Sequence, residues 1–135
     1  VPQGVYFIVR NKCGKKVLAM DDNGNVTTTE NKCTKGWEGF RVEKTKESGV
    51  YFLTRHKENG GKTLAIEDNG TVTHTIHRDP NGWEGFKIEK SDVDGVFFLV
   101  RNKDKKNVLA CDDNGRVCCT KNKAAAGWEG WKLEL

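Results

Sequence analysis

The 135-residue sequence contains no long apolar run and no amphipathic helical segment. No stretch approaches the roughly 18 apolar residues that span a bilayer, so we expect no transmembrane segment. No stretch combines a helical period with capping residues, and the short helix-friendly patch at 121–126 is interpreted as a loop. The first residues, Val1 to Gly4, lack the charged-then-apolar pattern of a signal peptide, although a cleaved peptide would leave no trace. The absence of helical segments favours an all-β protein.

The sequence also lacks the residue combinations of common catalytic and metal sites. It shows no serine or cysteine nucleophile beside a base, no phosphate-cradling glycine loop and no acid–base pair of carboxylates. His74 and His77, with Cys118 and Cys119 at equivalent places, do not have metal-ligand spacing. The Asp-Asn-Gly segments lack the downstream glutamate of a calcium-binding loop. We therefore expect no enzyme activity, no cofactor and no metal.

Cysteine usage and net charge limit which cellular compartments and which binding partners fit the sequence. There are five cysteines, an odd number, and their positions do not follow the repeat described below: Cys13, Cys33, Cys111, Cys118 and Cys119. This pattern favours free thiols in a reducing compartment, and so a cytoplasmic protein, although two glycosylation-type triplets at 25–27 and 69–71 point weakly the other way. The net charge of +4 favours acidic partners slightly but is far from that of a nucleic-acid binder.

A motif that occurs three times organises the chain. It reads Gly-Trp-Glu-Gly followed by Phe or Trp, and it begins at Gly36, Gly82 and Gly127. The first two tryptophans are 46 residues apart and the second and third are 45 apart. A repeat of this length is typical of one supersecondary unit copied several times, whose copies complete one another's core. We predict a single domain of three repeats, at 4–44, 49–90 and 95–135.

Each repeat contains four segments with strand-like composition. In the first repeat they are 5–10, 17–20, 26–29 and 37–43, which are rich in β-branched and aromatic residues. An Asn-Gly pair after the second segment favours a type I′ hairpin turn. The second repeat is one residue longer, and the extra residue lies near Gly60 and Gly61, where a surface loop is expected. The pattern predicts about twelve strands in three groups of four.

Period-two alternation predicts which side chains face the core. The predicted inward set of the first repeat is Phe7, Val9, Leu18, Val26, Phe40 and Val42. The same places recur in the other repeats, with Thr54 as a polar exception. Each large buried side chain stabilises by roughly 1.5–3 kcal/mol, which for one repeat alone does not offset the entropy of ordering its backbone. Three such units predict a β-trefoil, which is a six-stranded barrel capped by three hairpins. A propeller blade also has four strands, but three blades are too few to close a ring.

The repeat resembles a known family. Its pattern Arg-x-x-x-Gly-Lys-x-Leu-Ala-x-Asp-x-Asn-Gly-x-Val, followed by Trp-Glu-x-Phe-x-Leu-Glu, is similar to the β-trefoil module of the fascin and hisactophilin family, most clearly from Gly61 to Val72. The resemblance covers nearly the whole chain and implies a β-trefoil that binds actin filaments. The three histidines are fewer than the pH switch of hisactophilin requires. The Gln-x-Trp pattern of ricin-type lectins is replaced by Glu-x-Phe or Glu-x-Trp, which departs from their standard sugar site.

The tryptophans of the motif are the first candidate binding residues: Trp37, Trp83 and Trp128. They lie one residue off the inward alternation. Their rings either cap the barrel between neighbouring repeats or form partly exposed platforms that stack on sugars or anchor a protein partner. The glutamate after each is nominally inward, and a buried carboxylate needs partners. We expect backbone amides or the recurring Arg10, Arg55 and Arg101 to supply them.

Lysines cluster in the turns, at Lys12, Lys15, Lys16, Lys57, Lys62, Lys103, Lys105 and Lys106. Five of them are the second set of candidate binding residues, and we call these five the lysine rim: Lys15, Lys16, Lys62, Lys105 and Lys106. The rim is either a solvated surface or a contact for an acidic partner, such as an actin filament or a sulfated glycan.

Three functions follow from these features. The leading hypothesis is a non-enzymatic module that binds actin filaments, which would need two faces or a dimer to bundle them. The alternative is a lectin with up to three related sites, which the internal symmetry favours because several weak sites gain avidity. A heparin-binding, growth-factor-like trefoil is third, and the missing secretion signal counts against it. No nucleic-acid partner is expected.

Overall fold

The computed structural model describes residues 4–57 and 61–135, and these residues form twelve strands and no helix. The strands are β1 Val5–Arg10, β2 Val17–Met20, β3 Val26–Thr29, β4 Phe40–Lys44, β5 Val50–Arg55, β6 Thr63–Ile66, β7 Val72–Thr75, β8 Phe86–Lys90, β9 Phe97–Arg101, β10 Val108–Cys111, β11 Val117–Thr120 and β12 Trp131–Glu134. In this part of the chain there is therefore no helix long and apolar enough to cross a membrane. The insertion predicted near Gly60 lies outside the described residues.

Six of the strands close into a barrel. Antiparallel pairing runs from β1 through β4, β5, β8, β9 and β12 and back to β1. The other six form three hairpins, β2–β3, β6–β7 and β10–β11. The outer strands β3, β7 and β11 contact one another, so the three hairpins meet at the pseudo-threefold axis. The predicted β-trefoil fold is confirmed.

The hairpin turns differ from the predicted type I′ turn. In the first turn the amide of Gly24 donates to the carbonyl of Asp21 at 2.9 Å, and the amide of Asp21 donates to the carbonyl of Asn25 at 3.0 Å. Gly24 has a φ of 88°, and among the described residues Lys105 is the only non-glycine with positive φ. Asn23 therefore lacks the left-handed conformation that a type I′ turn needs, and the loop is a three-residue connection that ends in a left-handed glycine.

The central core contains a different face of each repeat's first strand from the predicted one. Tyr6 and Ile8 belong to the buried cluster in β1, and Leu53 and Leu99 occupy the place of Ile8 in β5 and β9. The predicted Phe7 and Val9 face the other side. Alternation could not choose between the faces because all four residues from Tyr6 to Val9 are apolar and the strand is covered on both sides. The other predicted positions of the first repeat were correct: Leu18, Phe40 and Val42 are buried in the core, and Val26 packs against it.

The outer face of the first strands forms smaller packing units beneath the loops. In the third repeat, Phe98 and Val100 pack with Val96, Val108 and Ala125. In the second repeat Thr54 and Thr63 take the places of Val100 and Val108, and their hydroxyls lie 3.4 Å apart in a fully buried position. The loop at 121–126 contains no helix, as the sequence predicts. All five cysteines lie within the described residues and none is in a disulfide.

Candidate ligand-binding sites at the junctions between repeats

A buried glutamate holds each tryptophan loop in place. Glu38 is 4% exposed and accepts a hydrogen bond from the Thr29 hydroxyl at 2.9 Å and from the Cys33 amide at 3.3 Å. Glu84 and Glu129 make the equivalent bonds in the other repeats. The expectation of backbone-amide partners is confirmed, whereas the arginines play a different part. Each glutamate holds its loop against the last strand of the hairpin in its own repeat.

The second glycine of the motif allows the loop to fold tightly. A Cβ on Gly39 would lie 2.0 Å from the Thr34 carbonyl oxygen, and Gly85 and Gly130 face backbone carbonyls at the same distance. No side chain fits there. Because residues 35–38 are taken up in this turn, β4 begins at Phe40 rather than at Trp37 as predicted.

The tryptophan rings lie at the surface rather than inside the barrel. Trp37 and Trp128 are each 38% exposed, and Trp83 is partly exposed. The backbone anchors them, since the carbonyl of Trp37 accepts a hydrogen bond from the Met20 amide at 3.0 Å, with equivalent bonds at Trp83 and Trp128. Each ring is therefore fixed at the end of the second strand of its own repeat and leaves much of its surface to solvent.

The first tryptophan lies beside a cluster of charged side chains. The carboxylate of Asp22, in the turn after β2, accepts hydrogen bonds from Lys57 Nζ at 2.6 Å and from Arg55 Nη1 at 3.2 Å. The Trp37 side chain lies close enough to this carboxyl to help lower its pKa, after the larger effect of Lys57. Trp37 and Asp22 come from the first repeat, whereas Lys57 and Arg55 come from the second. The cluster is therefore formed at the junction between two repeats.

Equivalent clusters occur at the other two junctions, and we call the three the junction sites. The first site consists of Trp37, Asp22, Lys57 and Arg55; the second of Trp83, Asp68, Lys103 and Arg101; the third of Trp128, Asp113, Lys12 and Arg10. The third joins the last repeat to the first and closes the ring. In every site the arginine is buried, while the aspartate and lysine are exposed.

The cations hold the aspartates in the charged form. Hydrogen bonds from Lys12 and Arg10 lower the pKa of Asp113 to about 2, against a weaker opposing effect of burial. Lys57 has the largest lowering effect on the pKa of Asp22, and Lys103 has it on that of Asp68. A carboxylate has about four acceptor positions, and these aspartates are 58–61% exposed. Each can accept further hydrogen bonds from a ligand.

The lysine rim lies apart from the junction carboxylates. Lys15, Lys105 and Lys106 are exposed, and Lys16 and Lys62 are partly buried. Within the described residues none of these five is ion-paired to Asp22, Asp68 or Asp113. The lysines that hold those carboxylates come two residues after the buried arginines, as Lys57 does after Arg55.

The sequence predicts the tryptophans as candidate binding residues, but sequence reasoning missed the aspartates. The Asp-Asn-Gly segments were fully explained as turns, and the first aspartate of the first turn does act that way, because Asp21 Oδ1 accepts hydrogen bonds from the amides of Asn23 and Asn25. The next residue, Asp22, instead reaches a lysine of another repeat. The available signal was the recurrence of an aspartate and a lysine at equivalent places in all three copies.

No protein-family model matches this chain, and no curated protein does either. Solved structures do match. SeviL bound to asialo-GM1 saccharide is 16% identical with a TM-score of 0.79, covering 98% of this chain and 97% of that one. A Polyporus squamosus lectin bound to the human-type influenza-binding epitope Neu5Aca2-6Galb1-4GlcNAc is 14% identical with a TM-score of 0.76, covering 98% and 49%. The β-trefoil of BEL is 16% identical with a TM-score of 0.78, covering 99% and 94%.

At these identities the likeness establishes the β-trefoil fold alone. It gives no support to the resemblance to fascin and hisactophilin.

Proposed function

We propose that this protein is a non-enzymatic carbohydrate-binding module with three related sites, one at each junction between repeats. The observation that carries the proposal is the threefold juxtaposition of a partly exposed indole, a fixed carboxylate and a lysine. The saccharide ligands of SeviL and of the Polyporus squamosus lectin add support from the same fold. Nothing in the comparisons supports actin binding.

The chemistry of each junction site suits a sugar ring. The face of a sugar carries C–H groups that pack on an aromatic ring, while its edge carries hydroxyls that need hydrogen-bond partners. In the third junction site Trp128 supplies the aromatic surface, Asp113 supplies acceptors and Lys12 supplies a donor. Hydrogen bonds to charged groups are about twice as strong as neutral ones, which favours a site that grips hydroxyls.

The ion pairs also keep the site ordered before a ligand arrives. Arg10 is 3% exposed and holds Asp113 at 2.7 Å, so the carboxylate needs little reorganisation on binding. Preorganisation of this kind limits the entropy lost in the complex. Three such sites on one chain gain avidity toward a surface that displays many copies of a glycan.

A glycan array tests the proposal with three proteins. The wild type is compared with the triple variant Trp37→Ala, Trp83→Ala and Trp128→Ala, and with Val93→Ala as a control. Val93 is an exposed apolar residue in the β8–β9 turn, outside the junction sites. We expect the wild type and Val93→Ala to bind the same subset of glycans and the triple variant to lose that binding. An array left blank by the wild type, together with pelleting on actin filaments at low salt, would replace the proposal with actin binding.

A further inference from the structure

A polar cleft lies between the first hairpin and the turn of the third repeat. One wall is formed by Lys16 and the strand from Val26 to Thr28, and the other by the turn from Asn114 to Arg116. The Thr28 hydroxyl donates to the Gly115 carbonyl at 2.7 Å and ties the two walls together. The cleft is therefore a built feature of the hairpin cap, and its lining contains none of the four residues of the third junction site.

Two cations line this cleft and no acid does. Lys16 packs against the turn, and its Nζ lies 3.3 Å from the position that a Cβ on Gly115 would occupy. Arg116 follows on the same turn and is exposed. Among the described residues that line the cleft none is acidic, and neither cation has an ion-pair partner in the described part of the chain. The nearby Asp113 is engaged by Arg10 and Lys12 instead.

The equivalent clefts at the other two junctions lack this pair. At the second, the places of Lys16 and Arg116 are taken by Asn107 and Thr71, and Asp68 and Asp104 also line the cleft. At the first, Lys62 is present but Asn25 replaces the arginine. There the His74 ring lies against Gly24, since Nδ1 is 2.7 Å from the Gly24 carbonyl oxygen. The second cleft also contains two lysines without an ion-pair partner in the described residues, Lys106 and Lys121, but they share it with the carboxylates of Asp68 and Asp104. The third cleft differs because its two unpaired cations line open space with no acid among the described lining residues.

We propose that the cleft between Lys16 and Arg116 binds an oxyanion, the sulfate or carboxylate carried by an acidic saccharide. The saccharide part of this inference rests on the proposed function, whereas the anion part does not. Two cations on opposite walls match one oxyanion, since an arginine offers a planar pair of donors and a lysine a point charge. The side-chain amide of Asn114, on the same wall as Arg116, adds a neutral donor. The third junction would then differ from the other two in preferring charged over neutral sugars.

The test uses the intact chain and variants taken from its own symmetry. Lys16→Asn installs the residue of the third repeat, and Arg116→Asn installs the residue of the first turn, so each substitution is already tolerated at an equivalent place. Lys62→Ala is the matched control, because it removes the equivalent lysine from a cleft without the arginine. The probes are inorganic sulfate, 3′-sulfolactose and lactose, followed by amide shifts in NMR spectra and by calorimetry.

We expect sulfate to shift the amide signals of Gly115 and Arg116, and 3′-sulfolactose to bind on the order of tenfold tighter than lactose. The preference should weaken at high salt, disappear in the double variant Lys16→Asn and Arg116→Asn, and persist in Lys62→Ala. An unchanged preference in the double variant would overturn the inference while leaving the junction sites standing. Sulfate shifts without preference for the sulfated sugar would overturn the assignment to a saccharide. Sulfate shifts with no saccharide binding at all would refute the proposed function and the saccharide part of the inference, and support the anion part.

Discussion

Among single residues, Asp113 has the most strongly perturbed carboxyl group of the junction sites. Arg10 and Lys12 each contact it at 2.7 Å, and together they lower its pKa to about 2 from 3.8. A carboxyl whose pKa is lower in the folded than in the unfolded state stabilises the fold above the unfolded value, and this stabilisation is lost as the pH falls. For Asp113 the relevant window therefore runs from about pH 4 down to about pH 2.

Removing one of the two cations should be visible in this titration. Lys12→Met is expected to raise the pKa of Asp113 toward 3.8, because Lys12 is the largest cause of the shift. The measurement is an NMR titration of the side-chain carboxyl carbon. Lys15→Met, which alters an exposed lysine of the same turn, serves as the control and should leave the pKa of Asp113 near 2. An equal pKa in the Lys12 variant and the wild type would contradict the proposed contact.

A second residue-scale prediction concerns His56. The equivalent Asn11 and Asn102 each donate from Nδ2 to a loop carbonyl, at 3.0 Å and 2.9 Å. His56 Nδ1 is buried and has no hydrogen-bond partner in the described structure. His56→Asn should therefore restore a missing bond to the equivalent carbonyl of Thr34 and raise the free energy of unfolding by about 0.5–1.5 kcal/mol.

Urea denaturation of two reciprocal variants, His56→Asn and Asn102→His, checks the prediction. His56→Asn should move the midpoint up, and Asn102→His should move it down. Two shifts of the same sign would show that the symmetry argument is wrong.

The residues that sequence reasoning identified are those whose role is local. The turn role of the Asp-Asn-Gly segments and the backbone partner of Glu38 follow from neighbours within about nine positions. The pairing of Asp22 with Lys57 spans 35 positions and depends on how the repeats are arranged in space. The recurrence of both residues in every repeat marks them as candidates but does not show which aspartate meets which lysine.

At the level of elements, the turn before each fourth strand determines where the tryptophan lies. This turn packs the second glycine of the motif against a carbonyl of the preceding loop, as Gly39 does against Thr34. The strands themselves were well predicted, because β-branched residues between turn signals are a strong local pattern. The inward face of β1 was not, because Tyr6 to Val9 are apolar on both faces and only the closed barrel distinguishes them.

Substituting each of the motif's two glycines in turn tests whether the close packing of the second glycine is what the turn requires. Gly39→Ala would place a methyl group 2.0 Å from a backbone oxygen, so we expect destabilisation of about 1–3 kcal/mol or more. Gly36→Ala meets the side chain of Cys33 at 2.9 Å, and this exposed side chain can move aside. Thermal unfolding should therefore show a clear loss for Gly39→Ala and a small one for Gly36→Ala. Equal losses would contradict the assigned role of Gly39.

For the whole molecule, the threefold arrangement creates sites that no single repeat contains. Each junction site takes its tryptophan and aspartate from one repeat and its lysine and arginine from the next, and the third closes the ring between Asp113 and Lys12. The repeat period predicted the fold because its copies share one inward pattern. It could not predict the ligand, because the same β-trefoil backbone occurs in proteins with different partners.

The most direct test of the carbohydrate-binding account is an NMR titration of the four indole N–H signals with the saccharide that gives the strongest array signal. Trp131 is an internal control, since it is fully buried and its Nε1 donates to the Leu109 carbonyl at 2.9 Å. Carbohydrate binding at the junction sites predicts that the signals of Trp37, Trp83 and Trp128 shift with saccharide while that of Trp131 stays in place. Saccharide binding that leaves the three junction indoles unmoved, or shifts all four alike, would contradict it.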